Sequence, residues 1–218
     1  MPNAWYHRRG RDRGWWLVDC HFDDRIPDGH IVATGPGPVG PAALGALDGP
    51  DDLGDLGDAP RIWSTAVDPA GRLRVTVDDW AAPGAPVCWY VLLVPEGAER
   101  PAATLVAYPT GHLDPGTVVS DAVFFGLPVR SAAQVAAIRW WRDDGCVDQV
   151  FVGPEHRRTH LATKMVYAAS AVHQAHGWPG RLHSDGRRTD LGQRLVAGLR
   201  HPDRIAPWTA RMPSMDPD

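Results

Sequence analysis

The stretch from Val147 to His176 constrains the fold of this chain more than any other. Val147, Val150 and Val152 supply the β-branched residues of a strand from Val147 to Val152. Gly153-Pro154-Glu155-His156-Arg157-Arg158 then breaks the strand. Beyond it, Leu161, Met165, Val166, Ala169 and Val172 fall at helical spacing, which predicts a helix from about Thr159 to His176. Gly177-Trp178-Pro179-Gly180 ends that helix, because glycine and proline both disfavour its continuation.

The neighbouring segments extend the pattern. Gln134 to Trp141 is strand-like and is joined to Val147 by the turn Arg142-Asp143-Asp144-Gly145. A short strand is expected around Arg181 to Ser184. A second helix follows from about Thr189 to Leu199, with Leu191, Leu195 and Leu199 one turn apart. The local order is strand, strand, helix, strand, helix. Upstream, strands are expected at Trp15 to Cys20, Ile62 to Val67, Leu73 to Val77, Val87 to Val94 and Thr104 to Tyr108. Asp68-Pro69-Ala70-Gly71 reads as a hairpin turn between two of them, proline presetting φ and glycine tolerating its positive range. Gly35 to Pro60 is dense in Gly, Pro and Asp and is expected to be a flexible loop, since it has little apolar surface to offset its ordering entropy.

A strand that leads through an arginine-bearing loop into a helix makes an anion site. The first amides of a helix have no intrahelical partner and the helix dipole is positive there. Arg157 and Arg158 add full charges at the same end. Charge along the chain agrees: Gly153 to Arg211 holds ten Lys or Arg against four Asp or Glu, whereas Asp19 to Asp58 holds nine aspartates and one arginine. A phosphate-bearing ligand is therefore expected at the basic end.

The segment Val152-Gly-Pro-Glu-His-Arg157-Arg158-Thr-His-Leu-Ala162 resembles the signature (Gln/Arg)-x-x-Gly-x-(Gly/Ala) of the GNAT superfamily of acyl-CoA-dependent N-acetyltransferases. The chain looks like a short, divergent actinobacterial and phage branch of it. Arg157 matches the first position and Ala162 the last, while the central glycine is His160 here. The resemblance covers about Ser131 to Arg204, roughly a third of the chain. It implies an α/β fold, with a GNAT-like mixed central sheet and flanking helices, preceded by a β-rich, loop-rich N-terminal extension. The expected division is an N-terminal part at 1–130, a core at 131–206 and a tail at 207–218.

The resemblance further implies acetyl-CoA as co-substrate and a small-molecule or peptide amine as acceptor. The co-substrate would lie against Phe151, Val152, Arg157, Arg158, Thr159, His160, Leu161, Ala162, Thr163 and Thr189, its pyrophosphate held by amides from about Arg158 to Thr163. In the family's mechanism an amine attacks the thioester directly, which calls for a base and an acid for the leaving sulfur. Ser184 and His183 at the later strand, and Tyr167 on the first helix, are the candidates for proton transfer, with Asp185 after the same strand and Glu155 or His156 in the loop as further ones. Many members carry a tyrosine acid four residues after a small residue in the last helix; counted from Gly192, that position is Val196. A non-catalytic acyl-CoA-binding or interaction protein on the same fold is the alternative, and a nucleic-acid-modifying enzyme is a further one.

Other features are given packing roles. The ten tryptophans, including Trp140-Trp141, are expected in core and sheet. Arg8, Arg9, Arg11 and Arg13 are read as a solvated terminus. Cys20, His21 and His30 fit no common zinc spacing, so no metal is expected, and three widely spaced cysteines form no readable disulfide framework. No apolar run approaches the roughly 20 residues that cross a bilayer, and the N-terminal residues lack a signal peptide's apolar core. The expectation is a soluble cytoplasmic protein with no membrane partner; nothing in the sequence fixes its oligomeric state.

Overall fold

The computed structural model describes residues 18–21, 30–33, 60–97, 99–199 and 205–213. The expected loop at 35–60 and the arginines at positions 8–13 lie outside the described residues, save Pro60. The class is mixed α/β. Strands β1 (Val18–His21), β2 (His30–Ala33), β3 (Arg61–Val67) and β4 (Leu73–Val77) form an antiparallel sheet of order β2-β1-β3-β4. Strands β5 (Cys88–Leu93), β6 (Ala102–Pro109), β7 (Val118–Ser120), β8 (Ala136–Trp141) and β9 (Val147–Val152) form a mixed sheet of order β7-β5-β6-β8-β9, in which only the β5–β7 pair is parallel. The described residues hold three α-helices, α1 (Asp121–Phe124), α2 (Leu161–Ala175) and α3 (Asp190–Ala197).

The turn at Asp68 shows how local chemistry sets the β3–β4 register. The Asp68 carboxylate accepts from the backbone N–H of Ala70 and of Arg72, both at 2.9 Å, and from Arg72 Nε at 2.7 Å. These bonds, the Arg72 amide first, hold its pKa below the ordinary carboxylate value. Val67 then pairs with Leu73, and inward residues alternate along both strands.

The two sheets meet at Gly116 and Thr117. Val75 N–H donates to Gly116 O at 2.9 Å and Tyr90 N–H to Thr117 O at 2.8 Å. Gly116 has φ +77°, and a Cβ there would lie 2.1 Å from Val75 O, so no other residue fits without moving the strand.

Alternation in β5 and β6 builds two cores. Cys88, Tyr90 and Leu92 with Ala103, Leu105 and Ala107 face the large core. Trp89, Val91, Val106 and Tyr108 face a smaller one closed by Val119 and Phe124, with Trp89 stacked on Tyr108 at 4.9 Å. Helix α2 fills the large core between the sheets, packing on β1, β3 and β4 and on β6, β8 and β9. Its burial extends beyond the single face read from the sequence: Leu161, Thr163, Met165, Ala168, Ala169, Ala171, Val172, His173, Gln174 and Ala175 are all buried. Alanine makes this possible, since a helix clad in methyl groups admits backbone on several sides.

The expected boundary at residue 130 falls inside one sheet and one core, because β5–β7 lie upstream of it and β8 and β9 downstream. The region beyond 207 is also engaged: β11 (Ala210–Arg211) pairs in parallel with β10 (Arg187–Arg188), and Arg211 bonds Asp190. The expected strand at Arg181 to Ser184 is a single parallel bridge, His183 to Cys146.

One buried histidine locks the end of α2. Trp140 Nε1–H donates to His173 Nδ1 at 3.0 Å, so Nε2 carries the ring proton and donates to Pro179 O at 2.9 Å. Gln174 Nε2 donates to Gly180 O at 3.0 Å. Burial pushes the His173 pKa from 6.5 down to about 4. As pH falls from about 6.5 to about 4, the unfolded chain takes up a proton that the folded chain refuses. The stability present above pH 6.5 is therefore lost across that window, at about 1.4 kcal/mol per pH unit or roughly 3 kcal/mol in all. Urea unfolding between about pH 7 and about pH 4 is expected to show this loss in the wild type and to show it reduced by roughly that amount in His173→Gln; parallel pH profiles would contradict it.

Candidate functional site

Strand β9 ends where Gly153 N–H donates to Val135 O at 2.9 Å, closing the β8–β9 ladder. The chain then turns through a 3₁₀ segment, Pro154–His156, with His156 N–H on Gly153 O and Arg157 N–H on Pro154 O. Arg157 Nε donates back to Val152 O at 3.3 Å, tying the loop to the strand it left, and Thr159 Oγ1 donates to His156 O at 2.6 Å. Two residues without glycine's freedom take left-handed backbone here: Arg158 at φ +64° and His160 at φ +56°.

His160 is the N-cap residue of α2 and makes no side-chain capping bond. The helix starts at Leu161 and not at the predicted Thr159, because the left-handed residues reverse the chain just before it. Amides of the first turn, Leu161, Ala162 and Thr163, have no intrahelical partner by helix geometry. No acidic residue lies in that turn. Arg158 and His160 are exposed beside it and Arg157 is half-buried. Leu161 and Thr163 point into the core and Ala162 lies at its rim. Glu155 is exposed and its carboxylate lies 3.4 Å from His156 Nε2.

The outer edge of β9 leads away from this loop. One edge of the strand is paired with β8 along its length; on the other, the pairing among the described residues is the single bridge at its start, where Val147 N–H donates to His183 O at 2.8 Å and His183 N–H to Gly145 O at 3.0 Å. His183 therefore sits about 17 Å from Val152, five residues along a strand at about 3.3 Å each. Arg157 to Thr163 follow one end of β9, and His183 and Ser184 lie at the other.

The remaining candidates are distributed as follows. The exposed His183 ring has Nδ1 3.1 Å from Arg181 O, which makes Nδ1 the proton carrier and leaves Nε2 as an acceptor in the neutral ring. Ser184 Oγ accepts from Gly186 N–H at 3.1 Å and lies 3.5 Å from Arg188 Nη1, a turn-forming role. Thr189 is the N-cap of α3, its hydroxyl accepting from Gly192 N–H at 3.0 Å, and is not part of the loop before α2. Tyr167 is half-buried on α2 and packs against the large core. Val152 packs there too, whereas Phe151 is 41% exposed, as alternation along β9 requires. Val196 is half-buried on α3, a helix with no fully buried residue.

Two residues beside the site carry no motif. Lys164, the chain's single lysine, donates from Nζ to Pro86 O at 3.0 Å, tethering the loop before β5 to the first full turn of α2; burial lowers its pKa. Cys146 stands opposite His183 in the parallel bridge. Its only sequence signal is its place just after the turn that opens β9.

No family model matches the chain, and neither the curated proteins nor the solved structures give a match.

A left-handed non-glycine residue costs roughly 1–2 kcal/mol, and glycine lowers that cost while adding about 0.5–1 kcal/mol of chain entropy to the unfolded state. His160→Gly is accordingly expected to change the unfolding free energy by no more than about 1 kcal/mol, whereas the β-branched His160→Val lowers it by roughly 1–2 kcal/mol. Denaturant unfolding of the two variants measures the difference; equal stability would mean that the left-handed geometry does not persist.

Proposed function

We propose that the chain binds an acyl-CoA and transfers its acyl group to an amine, on a small molecule or a peptide. The observation that carries the reading is the backbone at the mouth of α2. His160 takes φ +56° at the position where the resembled signature has glycine, and it leaves the helix N-terminus without a side-chain cap. Arg157 stands where the signature has glutamine or arginine, and Arg158 adds a second charge at the unspecified position after it. Free first-turn amides and two guanidinium groups suit a pyrophosphate, through charge-assisted hydrogen bonds as well as the helix dipole. Strand β9 is the last in its sheet among the described residues, and an extended arm could run alongside it from the phosphates to the bridge at His183.

A binding protein without turnover is the second reading. It is favoured by Ser184, whose oxygen is engaged in the turn, and by Val196, which has no proton to give.

Calorimetric titration with acetyl-CoA and with CoA tests the reading. Micromolar binding is expected for the wild type. Arg158→Glu, which reverses an exposed charge without touching the Arg157 tether, is expected to weaken it at least tenfold. Absence of binding by the wild type would end the proposal, and equal affinity in Arg158→Glu would remove the loop from it. Measured acyl transfer to an amine panel separates an enzyme from a binding protein.

A further inference from the structure

The turn that opens β9 and the segment that follows α2 are locked together, and they carry Cys146 and His183 as partners in a parallel bridge. Gly145 has φ +82°, and a Cβ there would meet Arg181 O at 2.4 Å, so the two backbones touch. Cys146 N–H donates to Asp144 Oδ1 at 2.8 Å, which fixes the residue at the mouth of the strand. Cys146 and His183 are bridge partners in a parallel pair, so their side chains leave the same side of adjacent strands. The Cys146 thiol donates weakly to Val147 O, at 3.9 Å. Cys146 is half-buried, unlike the buried Cys20 and Cys88, and His183 is exposed.

We propose that Cys146 is an acyl-accepting nucleophile served by His183 as its base. The inference rests on the acyl-CoA reading above, because it places the thioester at the far end of β9 from the phosphate loop. In the forward step the Cys146 thiol gives its proton to His183 Nε2 and its sulfur attacks the thioester carbonyl. The bond from carbonyl carbon to the donor's sulfur breaks, and that sulfur leaves with the proton from His183. The products are S-acyl-Cys146 and free CoA thiol, and no oxidant or reductant is consumed. An acceptor amine then attacks the protein thioester, forms an amide and returns the Cys146 thiol.

A base is needed because this thiol is not pre-ionised: burial, then the carboxylates of Asp185 and Asp144, push its pKa up. His183 is suited to the task since its Nδ1–H is held by Arg181 O and its Nε2 is the accepting nitrogen. The assignment also gives a proton-transfer role to His183 that does not require Ser184 or a residue at Val196.

The test is intact mass of the whole protein after incubation with acetyl-CoA, quenched in acid, with a short acyl thioester lacking the nucleotide as a second donor. The expected result is a gain of one acetyl group that neutral hydroxylamine removes, absent from Cys146→Ser and present in Cys20→Ser and Cys88→Ser. His183→Asn is expected to slow its formation about 100-fold or more. Cys146→Ala, checked for an unchanged unfolding transition, guards against a misfolded serine variant. An adduct that survives hydroxylamine belongs to an amine such as Lys164 and overturns the proposal, as does one undiminished in Cys146→Ser. Absence of an adduct where calorimetry shows CoA binding overturns it while sparing the binding reading. Labelling of Cys146 by the short thioester in a protein that does not bind CoA would sink the binding reading and keep the nucleophile. No adduct from either donor ends both steps.

Discussion

The burial of α2 is the constraint on which the rest of the structure depends. A helix enclosed by sheets on several sides has to present small residues wherever backbone approaches it. Ala168, Ala169, Ala171 and Ala175 do so, while Leu161, Met165 and Val172 fill the wider gaps. Because strands from both sheets touch the same helix, the large core belongs to neither sheet alone. The β1–β4 sheet lends Ile62, Trp63, Leu73 and Val75, and the β5–β9 sheet lends Tyr90, Leu105, Ile138 and Trp140. The β-rich N-terminal region is therefore half of the packing around α2, and removing it would expose the helix to water along one side.

What the sequence made legible follows from how local each signal is. Strands β3, β4 and β9 have the expected bounds to within a residue, since alternation and β-branching act within the strand. The Asp68 turn is equally local, its carboxylate reaching only two and four residues ahead. Strand β7 escaped notice because Val118–Ser120 is short and owes its existence to a parallel partner, β5, far back in the chain. The sharing of one sheet across residue 130 has the same origin: pairing of β6 with β8 is a non-local event that no periodicity records. The start of α2 was misplaced because the left-handed turn at Arg158 and His160 uses residues whose types do not announce it. The extent of burial around α2 is not legible because alanine, the strongest helix former, suits exposed and buried faces alike, although here it marks close approach.

For the candidate site, the chemistry of the loop was legible and its connection to the other residues was not. Arg157 and Arg158 before a helix are a sequence-level signal. That Thr189 caps a different helix, and that Ser184 Oγ is spent within its own turn, depends on where the chain goes after Gly180. Cys146 offers the sharpest contrast. It follows a turn and precedes a strand, with no motif around it, and its interest arises only from a bridge to a residue on the far side of α2.

The two ends of β9 differ physically, and the difference suits a division of labour. At the Cys146 end, Gly145 touches Arg181 O, and Gly180 would carry a Cβ 2.5 Å from Asp144 O. Trp140, His173 and Pro179 tie the same segments together in the core through two hydrogen bonds that spend both ring nitrogens. Little there can move without breaking buried polar pairs, which fixes side chains that must meet a reacting atom closely. At the Val152 end the loop is held by the Arg157 bond to Val152 O and the Thr159 bond to His156 O. Its left-handed residues sit on the surface, where they can relax, and phosphate oxygens tolerate such adjustment because they are bound by many donors at once. A strand with one rigid and one adaptable terminus can hold a long ligand by its charged end while fixing the position of its reactive end.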